Sequence, residues 1–287
     1  TQPTGFRYGA RAPTQPTGRV SPADDAESSA CPMWRQVLLV RMDGMASSIL
    51  SARDIRKSYG STVALDGVSL EIEAGESLAL MGPSGSGKTT LLHLLAGILT
   101  PDTGEVSWND HGAWQRVDRM NEARRSQLRR ESFGFVFQQG LLIPELTALE
   151  NVALALMIDG VSRPQSEQRA RHKLAALGLE GLEERRIGQL SGGQAQRVAI
   201  ARAQVADAEI VFADEPTGAL DSHTSDEVMT ALLGATTGQG RSLVLVTHDE
   251  TVAARCSRLL RMRDGRIAQQ TRSIPEHPGI TYTEARS

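Results

Sequence analysis

The chain has 287 residues, of which 40% are hydrophobic and 23% charged, as in ordinary globular proteins with one large or two small domains. A net charge of −3 at pH 7 leaves no basic footprint, so we expect no nucleic-acid partner. Cys31 and Cys256 lie far apart and form no metal-binding pattern, which favours a reducing compartment. No apolar run approaches the ~20 residues of a membrane span or forms a signal-peptide core, so we expect a chain that does not cross a membrane by itself.

The first 46 residues differ in composition from the rest. They are rich in Thr, Pro, Gly, Ser and Ala, and their few bulky apolar side chains bury too little surface to offset the ordering entropy. We therefore expect residues 1–46 to form a disordered N-terminal extension. Met42 and Met45 precede the patterned region, so one hypothesis is a wrongly assigned start or a segment added for expression. A native product whose N-terminal mass begins near residue 1 would refute it.

Hydrophobic stretches and turn signals alternate between residues 47 and 270. The patterns predict strands at 49–59, 63–72, 77–81, 105–108, 133–137, 210–213 and 242–246. They predict helices at 91–96, 148–157, 165–177 and 194–205. Strands that alternate with helices indicate a largely parallel α/β sheet with helices on both faces, and residues 139–205 are expected to form an inserted helical subdomain.

Three further segments complete the prediction. Residues 117–132 are charged with helical spacing, and their arginines are expected on a solvated face, with an acidic partner as the alternative. A final hairpin is predicted around Asp264-Gly265. Residues 271–287, with two prolines, are expected to be a loosely ordered tail.

A glycine-rich loop follows the strand at 77–81 and precedes an apolar helix, as a phosphate-binding loop requires. Its glycines let backbone N–H groups point inward at an anion, and the helix start adds unpaired N–H groups. Lys88 brings a positive charge to the outer phosphates, and the Thr89 hydroxyl is a hard oxygen ligand for Mg²⁺. The alternative is a glycine-rich turn with no ligand. The candidate nucleotide-binding residues here are Gly82, Pro83, Ser84, Gly85, Ser86, Gly87, Lys88, Thr89 and Thr90.

Polar side chains end three other predicted strands. Asp214 and Glu215 follow a buried strand, where Asp214 is suited to hold Mg²⁺ and Glu215 to deprotonate an attacking water. The alternative for this pair is a helix N-cap. His248 ends another buried strand and is placed to reach a γ-phosphate, although a lone histidine is more often structural. Gln138 repeats the arrangement with an amide suited to Mg²⁺ and water.

A second Gly/Ser anion nest stands at a predicted helix start, in Leu190-Ser-Gly-Gly-Gln194. Its candidate phosphate-binding residues are Ser191, Gly192, Gly193 and Gln194. One nucleotide does not need two such nests in one chain. Two chains facing each other could each offer this nest to the nucleotide of the other.

In order and spacing, these motifs resemble those of ABC-transporter ATPase cassettes: the loop at 82–90, Gln138, the signature at 190–194, Asp214-Glu215, residues 218–221 and Thr247-His-Asp249. The resemblance covers about residues 47–270. It implies a P-loop NTPase with a RecA-like core, an N-terminal antiparallel β part and a helical subdomain. It also implies a head-to-tail dimer of two copies closing on two Mg-ATP. It gives Tyr59 an adenine-stacking role, with a core aromatic as the alternative, and places Asp221 in the loop that crosses the dimer.

Finer features resemble the lipoprotein-release, macrolide-export and antimicrobial-peptide-resistance branch, notably Gly134–Gln138, Leu141–Asn151, Pro216–Asp221 and Arg261–Arg266. In that branch the membrane partner is a separate integral permease, whose coupling helix residues 139–151 would receive. Ala195 and Gln204 depart from the branch pattern, which usually has Gln or Glu and Leu there.

The resemblance implies an ATP-hydrolysing subunit, cytoplasmic and peripheral on the inner face of the plasma membrane, that powers export or release of lipophilic or peptide substrates. Control of cell-envelope enzymes by mechanotransmission is an open alternative. A soluble ABC ATPase in translation or DNA repair is disfavoured, because the chain has one cassette and no sustained heptads. Intact Glu215 and His248 argue against a purely regulatory nucleotide sensor. The sequence does not identify the substrate or the permease.

Overall fold

The computed structural model describes residues 48–138 and 140–272. The expectations for residues 1–46 and for the tail beyond residue 272 fall outside this range. The last strand runs to Arg272, so the first two residues of the predicted tail pair with the neighbouring strand instead.

A four-stranded antiparallel sheet forms the first layer, in the order β2-β1-β4-β5. Residues 68–72 alternate buried and exposed positions, as expected when one face packs on a core and the other faces solvent. The first strand is less regular, since its pairing contains register shifts. The strands are β1 Ser48–Tyr59, β2 Thr62–Glu73, β4 Thr103–Asp110 and β5 Ala113–Arg116.

A six-stranded sheet forms the second layer, in the order β10-β9-β3-β8-β7-β6. Strands β9, β3, β8, β7 and β6 pair in parallel, and only β10 is antiparallel to its neighbour. The central strands β3, β7 and β8 are buried along most of their length, which explains their continuous apolar runs. The strands are β3 Ser77–Met81, β6 Phe133–Phe137, β7 Ile210–Asp214, β8 Ser242–Val246, β9 Arg258–Arg263 and β10 Arg266–Arg272.

Seven α-helices lie in the described part of the chain, together with three short 3-10 turns. Several begin at a side-chain cap: Thr147 and Ser191 form capping boxes with the residue three positions on, and Asp221 accepts from the Thr224 N–H. The helices are α1 Lys88–Leu95, α2 Glu122–Glu131, α3 Ala148–Ile158, α4 Arg163–Ala176, α5 Gly192–Gln204, α6 Ser222–Ala235 and α7 Glu250–Ala254.

Three apolar clusters hold these layers together. The largest fills the space between the two sheets around α1 and includes Leu50, Leu91 and Phe212. The second packs α5 and α6 against the opposite face of the parallel sheet. The third joins α3, α4 and α5 through side chains such as Leu149 and Leu174. Each fully buried Leu or Phe contributes ~1.5–3 kcal/mol relative to an exposed one.

The predicted α/β architecture is confirmed: a mainly parallel sheet, an antiparallel β part at the start and helices inserted between β6 and β7. Within residues 48–138 and 140–272, no helix is both long and apolar enough to cross a membrane.

Candidate active site

The glycine-rich loop leaves the buried strand β3 and enters α1, as predicted. Gly87 is the N-cap of α1 and has φ +97°, a conformation that L side chains rarely adopt. A Cβ at Gly87 would lie closer than 3.0 Å to the Ala64 carbonyl oxygen and to Leu65. A Cβ at Gly82 would likewise lie closer than 3.0 Å to the Met262 carbonyl oxygen. The loop therefore packs too tightly against β2 and β9 for any side chain at either glycine.

Two polar groups of this loop suit a bound phosphate. Lys88 is 8% exposed and its Nζ donates to the carbonyl oxygens of Gly82 and Pro83, at 2.9 and 3.0 Å, which holds the ammonium over the loop. The Ser86 hydroxyl is buried and has no hydrogen-bond partner in the described chain. Pro83, Ser84 and Gly85 form the exposed rim. A charged donor and an unused hydroxyl in one curled loop fit an anion.

Strand order brings the predicted polar residues to the same sheet edge as this loop. Strands β3, β8, β7 and β6 are adjacent and parallel, so their carboxyl ends align. Thr89 Oγ1 lies 3.4 Å from Asp214 Oδ1, which joins the start of α1 to the end of β7. Phe137, just before Gln138, is in register with Asp214.

The Thr89 and Asp214 oxygens fit a hard divalent cation. Burial raises the pKa of the Asp214 carboxyl above its usual value, and the hydrogen bond from Thr89 opposes that shift. A cation beside this carboxylate would compensate for the lost hydration. Mg²⁺ prefers one or two carboxylates with further oxygen ligands, and no cluster of three or more His, Cys, Asp or Glu occurs among residues 48–138 and 140–272. Thr89, Asp214 and the Gln138 amide oxygen are therefore the candidate ligands.

Glu215 and His248 meet beside this pair. The Glu215 Oε2 atom lies 3.2 Å from His248 Nδ1. Glu215 has φ +47°, a left-handed conformation disfavoured for its side chain, and its N–H donates to the Val246 carbonyl at 2.9 Å. Strained residues of this kind cluster at functional sites, and this one turns a carboxylate toward the histidine.

Gly218 belongs to the motif at residues 218–221, in which the sequence resemblance assigns a role to Asp221 alone. A Cβ there would lie 3.0 Å from Gln138 Nε2 and 3.1 Å from Glu215 Oε2. The absence of a side chain lets both groups lie close to the backbone of Gly218. The glycine is visible in the sequence Pro216-Thr-Gly218. Its role becomes clear only in the structure, where the adjacent ends of β6 and β7 bring Gln138 and Glu215 close to it.

The signature loop forms the start of α5 and packs against α6. Ser191 caps α5: its Oγ accepts from Gln194 N at 3.2 Å, and its N–H donates to Gln194 Oε1 at 2.9 Å. A Cβ at Gly193 would lie closer than 3.0 Å to the Thr224 methyl group, so this glycine allows α5 to pack against α6. Gly192 is exposed. The structure thus places the signature loop against the start of α6, with Ser191 and Gly192 exposed.

Asp221 and Tyr59 complete the predicted set. Asp221 is exposed and is the N-cap of α6, so it lies near the signature loop. Hydrogen bonds from the backbone and side chain of Thr224 lower the pKa of the Asp221 carboxyl. Tyr59 ends β1 with half of its surface exposed and Lys57 Nζ 5.8 Å from its ring centre. Tyr59 is therefore not a core aromatic.

Of the two departures from the branch pattern, Gln204 is buried. It is 2% exposed at the end of α5, and neither atom of its amide has a hydrogen-bond partner in the described chain. It borders a groove of about 590 Å³ between α4, α5 and α6.

Known proteins resemble this chain in sequence and in fold. Residues 65–218 match the family described as ABC transporter. The chain is 43% identical to the lipoprotein-releasing system ATP-binding protein LolD of Geobacter metallireducens, over 77% of this chain and 98% of LolD. It is 45% identical to the pyoverdine export ATP-binding/permease protein PvdT of Pseudomonas aeruginosa, over 80% of this chain but 35% of PvdT.

A macrolide export ATP-binding/permease protein MacB, from Hyphomonas neptunium, is 43% identical over 78% of this chain and 34% of its own length. The chain thus spans about a third of these export relatives. Among solved structures, a dimeric bacterial ABC transporter cassette superposes with a TM-score of 0.71 at 38% identity, covering 78% of this chain and 98% of that one. A dimeric post-hydrolysis cassette bound to ADP and Pi gives a TM-score of 0.70. On this family match, and on relatives covered almost end to end, the chain belongs to the ATP-binding cassettes of the ABC transporter family.

Proposed function

We propose that the chain binds and hydrolyses Mg-ATP at the edge of the parallel sheet and powers a transmembrane permease. The observation that carries this proposal is the meeting of Glu215 with His248 beside Thr89 and Asp214, at 3.2 and 3.4 Å. A phosphate loop alone supports nucleotide binding. A carboxylate aligned with a histidine at the same edge supports hydrolysis.

In the proposed mechanism, the glycine-rich loop and Lys88 hold the β- and γ-phosphates and withdraw charge from them. Glu215 orients a water and accepts its proton as the water oxygen bonds to the γ-phosphorus, while the bond to the ADP oxygen breaks. His248 holds the Glu215 carboxylate in place through Nδ1. Mg²⁺, held by Thr89, Asp214 and Gln138, would neutralise charge on the phosphate oxygens.

We propose that the working unit is a head-to-tail pair of cassettes. The support is the exposed position of Ser191 and Gly192 at the start of α5, which leaves a second phosphate-binding nest open to another molecule. In this pair the signature loop and Asp221 of each copy face the nucleotide held by the other, and Tyr59 stacks on adenine. Two solved cassettes that resemble this chain are described as dimeric.

We further propose that the partner is a separate permease and that the chain lies at the cytoplasmic face of the membrane. The near-complete coverage of the lipoprotein-releasing ATP-binding protein supports a separate subunit, and the export relatives favour export or release of lipophilic or peptide substrates. Co-purification of a permease with the tagged chain from membranes tests this part. Recovery of the chain from the soluble fraction alone contradicts it.

Glu215→Gln tests the hydrolytic site. The amide cannot accept the proton, so turnover is expected to fall ~10²–10⁴-fold while Mg-ATP still binds and a dimer accumulates. Glu227→Gln is the matched control, because Glu227 is an exposed carboxylate on α6. Hydrolysis by Glu215→Gln at the wild-type rate contradicts the assignment of the base. Failure of the wild-type chain to bind ATP contradicts the proposed function altogether.

A further inference from the structure

The loop that begins at Gln138 has an unusual backbone. Gly140 has φ +67° and Leu141 has φ +45°, two consecutive left-handed residues, of which Leu141 carries a side chain that disfavours this conformation. Leu141 is also 59% exposed, so apolar burial does not stabilise it. Some other interaction must hold the loop in this shape.

Arg202 on α5 provides one such interaction. Its two terminal nitrogens donate to the carbonyl oxygens of Gly140 and Leu141, each at 2.7 Å. Burial lowers the pKa of its guanidinium, and no Asp or Glu of the described chain lies within 4.0 Å of it. Arg202 is half-buried, and the two carbonyl dipoles solvate its charge where the described residues supply no carboxylate partner. They can do so only while both residues keep their left-handed conformation.

Gln196, on the same helix, holds the other side of Gln138. It is 4% exposed, and its Nε2 donates to the Phe137 carbonyl oxygen at 3.0 Å. That oxygen also accepts from the Gly140 N–H at 2.8 Å, which closes the turn around Gln138. Helix α5 thus binds the backbone on both sides of a proposed Mg²⁺ ligand.

We infer that Gln196 and Arg202 are positioning residues. By binding the carbonyl oxygens of Phe137, Gly140 and Leu141, they fix the position of Gln138 in the site. This inference rests on the proposed function. Helix α5 is ~20 Å long by its 13 residues and begins at the Ser191 cap. The same rigid helix therefore connects the signature loop, which faces the partner's nucleotide, with the residue that completes the chain's own site. A tilt of α5 carries both ends with it.

A purely structural arginine offers the matched control. Arg241 also donates to two consecutive carbonyls, those of Asp207 and Ala208, the latter at 2.7 Å. It contacts none of the site residues described above. Arg241 also pairs with the Asp207 carboxylate at 3.3 Å, so Arg241→Met removes an ion pair in addition to the two carbonyl contacts. Arg241→Met therefore disturbs its loop at least as much as Arg202→Met does, and only the loop that Arg202 binds carries Gln138.

The experiment compares Arg202→Met, Gln196→Met and Arg241→Met in both the wild-type and the Gln138→Ala background. Turnover of Mg-ATP, affinity for a fluorescent ATP analogue and the Mg²⁺ concentration for half-maximal turnover are measured for each. Arg202→Met and Gln196→Met are expected to lower turnover ~10–100-fold, as a misplacement of about 1 Å does, and to raise the Mg²⁺ requirement. Analogue affinity is expected to stay within about twofold. Arg241→Met is expected to leave all three values unchanged.

The Gln138→Ala background distinguishes positioning from general damage. If Arg202 acts through Gln138, Arg202→Met changes turnover by less than about twofold in that background. Equal losses in both backgrounds, or no loss in either, would overturn the inference. Amide exchange at Gly140 gives a readout that needs no hydrolysis: its protection is expected to fall in Arg202→Met and not in Arg241→Met. If the wild-type chain does not hydrolyse ATP, the proposed function fails. Unchanged Gly140 protection in Arg202→Met would separately refute the positioning role of Arg202.

Discussion

Gln204→Leu is expected to stabilise the protein. The Gln204 amide is buried without a partner, and an unsatisfied buried polar group costs ~1–3 kcal/mol. Leu has nearly the same volume, so it removes this cost without leaving a cavity. We therefore expect the free energy of unfolding to rise by about 1–3 kcal/mol. For a domain of this size, each kcal/mol corresponds to ~2–4 °C in Tm.

Urea denaturation with linear extrapolation and thermal unfolding measure this change, both without nucleotide. Gln168→Leu is the matched control, because Gln168 is exposed on α4 and its replacement is expected to change stability by less than about 0.5 kcal/mol. A Gln204→Leu protein that is no more stable than the wild type would refute the reasoning. The amide would then have found partners in the groove between α4, α5 and α6.

Three other substitutions test local features. Gly87→Ala is expected to destabilise the protein by ~2–5 kcal/mol in urea denaturation, because the strain of the left-handed conformation adds to a clash with β2. A Cβ at Gly85 has open space around it, so Gly85→Ala should cost only ~1–2 kcal/mol. Equal losses of stability in the two variants would contradict the clash. The methyl group of Gly218→Ala would displace Gln138 and the proposed base Glu215, so turnover should fall roughly tenfold while nucleotide affinity stays unchanged. An unchanged rate would mean that the close packing of these two side chains on Gly218 is not needed for hydrolysis. Hydrogen bonds from Arg129, Arg125 and Ser126 lower the pKa of Glu122 from 4.5 to about 2. The stability that these bonds contribute is therefore present above pH 4.5 and is lost as the pH falls toward 2. The difference in unfolding free energy between the wild type and Glu122→Gln should decrease as the pH falls over this range, and a pH-independent difference would contradict the assignment.

The residues that point to chemistry were readable from the sequence because each ends a buried strand. Asp214 and His248 follow runs of apolar residues, and parallel strands place their carboxyl ends at one edge. The local sequence patterns do not reveal the order of the strands in the sheet. Only the adjacency of β3, β8, β7 and β6 brings Thr89 to 3.4 Å from Asp214 and Glu215 to 3.2 Å from His248.

Helix boundaries were predicted less well, because caps decide them. The first helix begins at Lys88 instead of residue 91, since Gly87 takes the left-handed N-cap conformation. Helix α5 begins at Gly192 instead of residue 194, since Ser191 forms a capping box. Helix α4 begins at Arg163 with a proline in its first turn, two residues before the predicted start.

Two helices and a strand were not predicted. Helix α6 buries Val228, Met229 and Leu232 on one face, a pattern that short polar residues at its start conceal. Helix α7 has only five residues, too few for a periodic signal. Strand β5 is short and mostly exposed, and its pairing with β4 depends on a turn at His111-Gly112 with positive φ at both residues.

The central claim is that the loop at 82–90 forms half of a site that a second copy completes. Mixing two inactive variants tests it directly: Lys88→Ala lacks the phosphate-binding charge, and Ser191→Arg blocks the signature loop. In a mixed dimer, the intact loop of one chain faces the intact signature of the other. The account predicts no turnover by either variant alone and recovered ATP hydrolysis in the mixture. Mixed dimers that stay inactive, or a Ser191→Arg chain that is active alone, would contradict it.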